Sequence, residues 1–223
     1  MKTAIAIFVK TPGFTPLKTR LAATTGTDAA MEFYRLSLKA IESTVMSSDI
    51  DGYWAVGEQE ALGHDLWQGL TPIWTEGGDL GQRQFHIYQS LIKKYDRVLL
   101  IGADAPQLSV DLIKQACQSL DTQDFVFGPA HDGGYYLFGG RIETDAAVWD
   151  HIEWSTEKTL SQLEQSLPSP AAHLAPLTDI DTEGDLTRLA FEMPENMNDA
   201  QKAIIKWVKA RKPTTNPRPQ PFK

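Results

Sequence analysis

The chain has 223 residues, with 21 Lys and Arg against 29 Asp and Glu, a formal charge of −8 and 42% apolar residues. So acidic a chain lacks the basic footprint that nucleic acid requires, while its apolar share suffices for a buried core. A single cysteine, Cys117, excludes an internal disulfide and a cysteine zinc cage; no run approaches the ~20 apolar residues of a membrane span, so a soluble cytoplasmic protein is expected.

Residues 3–9 (TAIAIFV) are almost wholly apolar and rich in Ile, the pattern of a strand covered on both faces in a parallel sheet. After a Pro- and Thr-rich loop, Ala30, Phe33, Tyr34, Leu38, Ile41 and Val45 recur at helical spacing, and a second strand follows at 53–56. Residues 58–68 read as helical and 72–75 as a short strand, after which Leu80, Phe85, Tyr88, Leu91, Ile92 and Tyr95 mark the inner face of a helix. RVLLIG at 97–102 predicts another fully buried strand. A helix over 109–120 follows, with Ser109 as N-cap and Cys117 as a buried thiol on its apolar stripe, and then a strand at 125–127. GPAHDGGYYLFGG places a Gly-rich turn before a short aromatic strand, read as a hairpin or an antiparallel edge strand, so the sheet is mixed. A helix over 156–167, a strand over 173–177, a helix opened by Asp181 or Thr182, and a last helix with Ala200, Ala203, Ile204, Trp207 and Val208 on one face complete the series.

This alternation predicts an α/β fold: a three-layer sandwich around a mixed, mostly parallel sheet, in one domain over residues 1–211. Residues 212–223 hold four prolines, three basic residues and one aromatic, and are expected to be a disordered tail.

Ligands of open α/β sheets bind where the strands end, at their carboxyl edge. After the first strand, KTPGFTPLKTRL (10–21) brings Lys18 and Arg20, with Lys10 and Pro12 before them, into a loop suited to a di- or triphosphate. It has neither the Walker nor the dinucleotide glycine pattern. A solvated basic loop accounts for the same letters, and as a loop cation Lys18 is expected to have no core role. Asp104 in GADAPQL lies just past a buried strand, where a carboxylate needs a metal or hydrogen bonds beside it; a turn cap is the plainer alternative. Removing its unpaired charge is expected to stabilise the metal-free protein slightly.

HDGGYYLFGG offers Asp132, Gly133, Gly134, Tyr135 and Tyr136 to hydroxyls or a sugar ring, although a D-G hairpin explains the same residues. In TDIDTEGDL, Asp179 and Asp181 are two apart and share a face if the segment is extended, so either can supply a second oxygen ligand; Asp181 is equally a helix cap, and Asp179 is the weaker candidate. In EGGDLGQR, Asp79 reads as an N-cap, with Gly78 and Arg83 placed to admit a nucleotide base.

Taken in order, VKTPGFTPLKTRL, GGDLGQR, IGADAPQL, GPAHDGGYYLFG, WSTEKTL and DIDTEGDL resemble the blocks of a bacterial family known as radical-SAM/selenodomain-associated transferases, often labelled glycosyltransferases of arsenosugar biosynthesis. The resemblance implies the GT-A, or nucleotide-diphospho-sugar transferase, fold. It implies that Lys18 and Arg20 handle the nucleotide's phosphates, that Asp104 and Asp181 hold Mg²⁺ or Mn²⁺ against a diphosphate, and that Asp132, Gly133, Gly134 and Tyr135 face the acceptor or the transferred group. The chain departs from the family pattern at Thr15, Ala103, Ala105, His131 and Glu183, which leaves the metal and phosphate positions intact.

The resulting expectation is a metal-dependent transferase using a nucleotide sugar and a small-molecule acceptor, with Asp132 as base if the transfer inverts configuration and His131 behind it. Two rivals remain: a nucleotidyltransferase that releases pyrophosphate from an NTP, and a non-catalytic nucleotide-binding module.

Overall fold

The protein is described here by a computed structural model covering residues 1–211; the tail expected at 212–223 lies outside the described residues. Seven strands form one sheet: β1 (Thr3–Val9), β2 (Asp51–Val56), β3 (Thr71–Trp74), β4 (Arg97–Gly102), β5 (Phe125–Pro129), β6 (Tyr135–Gly140) and β7 (Ala171–His173), in the order β3-β2-β1-β4-β6-β5-β7. β1 pairs in parallel with both β2 and β4, with Ile5 opposite Gly52 on one side and Leu99 on the other. The chain leaves β1 toward β2 and β3 and returns across it to β4, so the strand order reverses between β1 and β4, the place where such sheets open a crevice.

Side chains alternate across a strand, and here both faces are apolar. Ile5, Ile7, Val9, Leu99 and Ile101 face α2 (Thr27–Met46) and α4 (Val110–Ser119), while Ala4, Ala6, Val98, Leu100 and Phe138 pack in a second core with α3 (Leu80–Ile92) and α5 (Thr159–Ser166). Those two cores make the three layers. A third core lies outside them, where α1 (Thr19–Thr25), α6 (Asp185–Glu192) and α7 (Asp199–Ala210) join α2 around Leu21, Phe33, Ile180, Leu189 and Ile204. No helix among the described residues is long and apolar enough to cross a membrane.

Several expectations change. β6 is not an edge strand: it runs antiparallel between β4 and β5, and Leu137 and Phe138 are buried on opposite faces of the sheet. Residues 58–68 form two short 3₁₀ turns, Gln59–Ala61 and Asp65–Trp67, because Trp67 is pulled onto Trp54 with ring centroids 5.4 Å apart. The helix expected from Asp181 begins at Asp185, whose carboxylate accepts from Thr182 N at 2.7 Å and Thr182 Oγ1 at 2.8 Å. Asp185 therefore closes that turn and spares Asp181. Cys117 is half-buried at the margin of the first core rather than enclosed. α1 was expected as loop; it is Thr-rich with one buried side chain, Leu21, which gives no periodic signal.

α7 is fastened through Asn198. It caps its own helix in a capping box with Gln201, and its Nδ2 donates to Ala40 O at 3.0 Å and Thr44 Oγ1 at 3.1 Å on α2. Asn198→Ala removes a cap and two tertiary bonds, so urea unfolding should show a loss of about 2 kcal/mol; a change below ~0.5 kcal/mol would mean that apolar packing alone holds α7.

Candidate active site

The carboxyl ends of β1 and β4 open into a cavity of about 550 Å³. Lys10, Lys18 and Arg20 line it from the segment after β1, Asp104 from the end of β4, Arg83 from α3, Asp132, Gly134 and Tyr135 from the β5–β6 turn, and Asp179 and Asp181 from the segment before α6. The structure thus brings these separated blocks to one sheet edge. Pro12, Gly78, Asp79, His131 and Gly133 are not among the lining residues.

At the centre, Asp104, Asp179 and Asp181 each offer a carboxylate oxygen within 4.8 Å of the others. Ile180 explains the pairing: its side chain is buried in the third core, so the alternating neighbours on either side of it turn to the cavity. Its N–H donates to Asp104 O at 3.0 Å, which locks the two carboxylate-bearing segments together.

Lys18 enters this cluster from below. Its side chain is only 4% exposed, with Nζ 2.6 Å from Asp104 Oδ1, 3.8 Å from Asp181 Oδ1 and donating to Ile180 O. Burial works against its charge, but Asp104, Asp179 and Asp181 outweigh it and hold the ammonium above the ordinary lysine range. The backbone of Lys18 is left-handed, φ 46°, a conformation few non-glycine residues adopt, and Leu21 three residues on is buried in the third core. The free loop cation expected from the sequence is therefore a buried counterion, and the partner that makes Asp104 tolerable at the strand end is Lys18. Arg20 is exposed and pairs with Asp181 Oδ2 at 3.0 Å.

Asp179, the weaker candidate by sequence, is the most perturbed acid. Its carboxyl is pushed up to about 7, first by burial and then by the neighbouring Asp104, with Lys18 opposing and Asp181 and Asp132 adding smaller repulsions. The signal for it was the two-residue spacing with Asp181.

In the β5–β6 turn, Asp132 Oδ1 accepts from Gly134 N at 2.9 Å, and its other oxygen makes no hydrogen bond among the described residues. Gly133 has φ 90°, and a Cβ there would collide with the Glu157 backbone, so only glycine lets the D-G-G-Y turn sit against the W-S-T-E segment. Tyr135 OH donates to Gln84 Oε1 at 2.7 Å. His131 faces away, 3.6 Å from Glu192 Oε1. Asp79 caps α3 by accepting from Gln82 N, and Gly78, at φ 104°, accepts from Arg83 Nε at 3.0 Å. Lys10 and Arg83 make no ion pair among the described residues.

Residues 38–156 match the family described as "Uncharacterized protein conserved in bacteria (DUF2064)". The chain belongs to that family. No curated protein sequence matches this DUF2064 chain. Among solved structures it is similar to a protein of Desulfovibrio desulfuricans G20 provisionally named a nucleotide-diphospho-sugar transferase, with 28% identity, a TM-score of 0.81, and 94% of this chain and 96% of that one covered. More distant likenesses share the fold alone. One is a manganese complex of Rv0371c from Mycobacterium tuberculosis H37Rv, at 16% identity and TM-score 0.53, covering 85% of this chain and 98% of that one. Another is 4-diphosphocytidyl-2C-methyl-D-erythritol synthase from Anaerococcus prevotii DSM 20548, at 13% identity and TM-score 0.55, covering 85% and 97%. The DUF2064 chain thus has the nucleotide-diphospho-sugar transferase-like α/β fold expected from its sequence.

The ion pair makes two predictions for metal-free protein in EDTA. Because Asp104→Asn leaves a buried ammonium with a weaker partner, it should lower unfolding stability by about 1–3 kcal/mol, the reverse of the gain expected from sequence; an unchanged urea midpoint would mean the pair contributes nothing. Asp179 has a folded pKa of about 7 against an ordinary 3.8, so its contribution is present below about pH 4 and lost as pH rises through 7. Asp179→Asn should therefore raise the melting temperature more at pH 8 than at pH 5, whereas an equal change at both would place the carboxyl in an unperturbed environment.

Proposed function

We propose that this DUF2064 protein is a metal-dependent transferase acting on a nucleotide-activated donor, with a nucleotide sugar as donor and a small hydroxyl compound as acceptor. The observation that carries this reading is the convergence of Asp104, Asp179 and Asp181 with Lys18 and Arg20 at the reversal point between β1 and β4. The donor set fits Mg²⁺ or Mn²⁺: three hard carboxylate oxygens within reach of one ion, with room left for phosphate or water. Asp104, Asp179 and Asp181 would hold the ion, which when bound screens a diphosphate and stabilises the departing nucleoside diphosphate.

The chain's own groups supply the rest. Lys10 and Arg83, uncompensated in the cavity, meet phosphate or base oxygens, and Arg20 can exchange Asp181 for a phosphate at modest cost because its side chain is 72% exposed. Lys18 stays with the carboxylates and limits their mutual repulsion. Asp132 keeps one oxygen on Gly134 N, which orients the carboxylate, and has the other free to take the proton of an acceptor hydroxyl. Tyr135, steadied by Gln84, forms the wall against which the acceptor rests. The similarity to the Desulfovibrio protein and the resemblance to arsenosugar-type glycosyltransferases support a sugar as the transferred group.

Nucleotidyl transfer is the second reading, favoured by the number of cations lining one cavity, which suits a triphosphate as well as a diphosphate.

Thermal shift with nucleotides and nucleotide sugars tests the proposal. A donor at ~100 times its dissociation constant should add about 2.7 kcal/mol with Mn²⁺ and much less with EDTA; equal binding in both would overturn the metal assignment. Nucleoside diphosphate released from a nucleotide sugar identifies glycosyl transfer, and pyrophosphate released from an NTP identifies the alternative. Lys10→Ala should weaken donor binding about tenfold while leaving the melting temperature unchanged, since its side chain is exposed and unpaired.

A further inference from the structure

Helix α6 ends in Glu192, a carboxylate outside every motif read from the sequence and outside the cavity lining. Its side chain is only 19% exposed, and its two oxygens reach three different loops. Oε2 accepts from Thr178 N at 2.7 Å and Gln107 Nε2 at 3.0 Å, while Oε1 accepts from Thr178 Oγ1 at 2.6 Å and lies 3.6 Å from His131 Nε2. Each partner adjoins a carboxylate of the site: Thr178 precedes Asp179, Gln107 lies three residues beyond Asp104, and His131 precedes Asp132.

Gln107 shows how firmly this junction is set. It is 1% exposed, its Nε2 also donates to Thr178 O at 2.6 Å, and its Oε1 is buried without a hydrogen-bond partner among the described residues. Turning the amide over would press Oε1 against the Glu192 carboxylate and the Thr178 carbonyl, two acceptors, so the orphaned oxygen is tolerated in order to keep both donors on them. Thr178 is thereby held by its N–H, its hydroxyl and its carbonyl, and the next residue starts the Asp179-Ile180-Asp181 segment.

We propose that Glu192 is a positioning residue for the carboxylate cluster: it fixes the strand-like segment before α6 against the loops after β4 and β5, so that Asp104, Asp179 and Asp181 converge. This rests on the reading of that cluster as a cation site. Groups that orient metal ligands from one shell out commonly change metal affinity by 10–100-fold when removed.

The test is Mn²⁺ affinity, measured as free Mn²⁺ by electron paramagnetic resonance, on the full chain and without any substrate. Glu192→Ala should weaken Mn²⁺ binding tenfold or more with its circular dichroism spectrum preserved. Glu192→Gln should recover most of the affinity, because one amide oxygen still accepts from Thr178 N and Gln107 Nε2. Leu120→Ala, a cavity in the first core at the far end of α4, should lower the melting temperature yet leave Mn²⁺ affinity within twofold of wild type. Wild-type affinity in Glu192→Ala overturns the positioning role alone, and failure of the wild type to bind Mn²⁺ overturns the cation-site reading and this role with it. If Glu192→Ala does not fold, Thr178→Val decides: severalfold weaker binding supports the proposal, and unchanged binding overturns it.

Discussion

One buried ammonium organises the functional edge of this fold. Lys18 brings a positive charge to a place that water barely reaches, beside Asp104 and near Asp181. Neither sign is stable there alone: three carboxylates within 4.8 Å would repel, and a lone buried lysine would lose its proton. The pair therefore constrains the chain on both sides, tying the segment after β1, where Lys18 has left-handed backbone, to the end of β4 across the reversal of the sheet. Such a pair stabilises less than its short distance suggests, since desolvation offsets much of the attraction. What it secures is charge geometry at the mouth of the cavity.

The third core gives that geometry its stiffness. Ile180 is buried among residues of α1, α2, α6 and α7, and because it sits between two aspartates its burial is what aims them. Leu21 does the equivalent for the segment that carries Lys18 and Arg20. Apolar packing outside the main sandwich thus aims Asp179 and Asp181 and anchors the segment of Lys18 and Arg20, while Ala103 and Ala105, in the first core, flank Asp104. It also explains why α6 and α7, which add nothing to the sheet, belong to the working part of the molecule.

Most of the fold was legible because strands buried on both faces announce themselves as short Ile- and Val-rich runs, and helices over them as stripes at helical spacing. β6 was legible as antiparallel but not as internal, since its pairing with β4 is a contact between residues about forty apart that no local pattern encodes. The site was legible as a set of loops at one edge. Its internal wiring was not: the letters KTR say nothing of whether a lysine meets solvent or three aspartates, and DID marks a shared face without saying which acid is the more buried. Glu192 was invisible for a related reason, being one acid among 29 with no motif around it, defined only by three loops that meet in space.

The charge balance of the cluster bears on what can enter it. Against three carboxylates stand Lys18 and Arg20, and Asp179, at about 7, is partly protonated near neutral pH, so the resting cluster is close to electroneutral. A phosphate arriving alone would meet those same carboxylates and gain little from Lys18 and Arg20, which are already paired, leaving Lys10 and Arg83 to attract it. On the proposed function, a phosphate arriving with a divalent cation would bring the charge that displaces the proton from Asp179 and frees Arg20, so that reading favours a cation and an oligophosphate binding together. Substitutions that leave Lys18 in place while weakening Arg20 or Lys10 should therefore act on the oligophosphate, and those that disturb Lys18 should act on both partners at once.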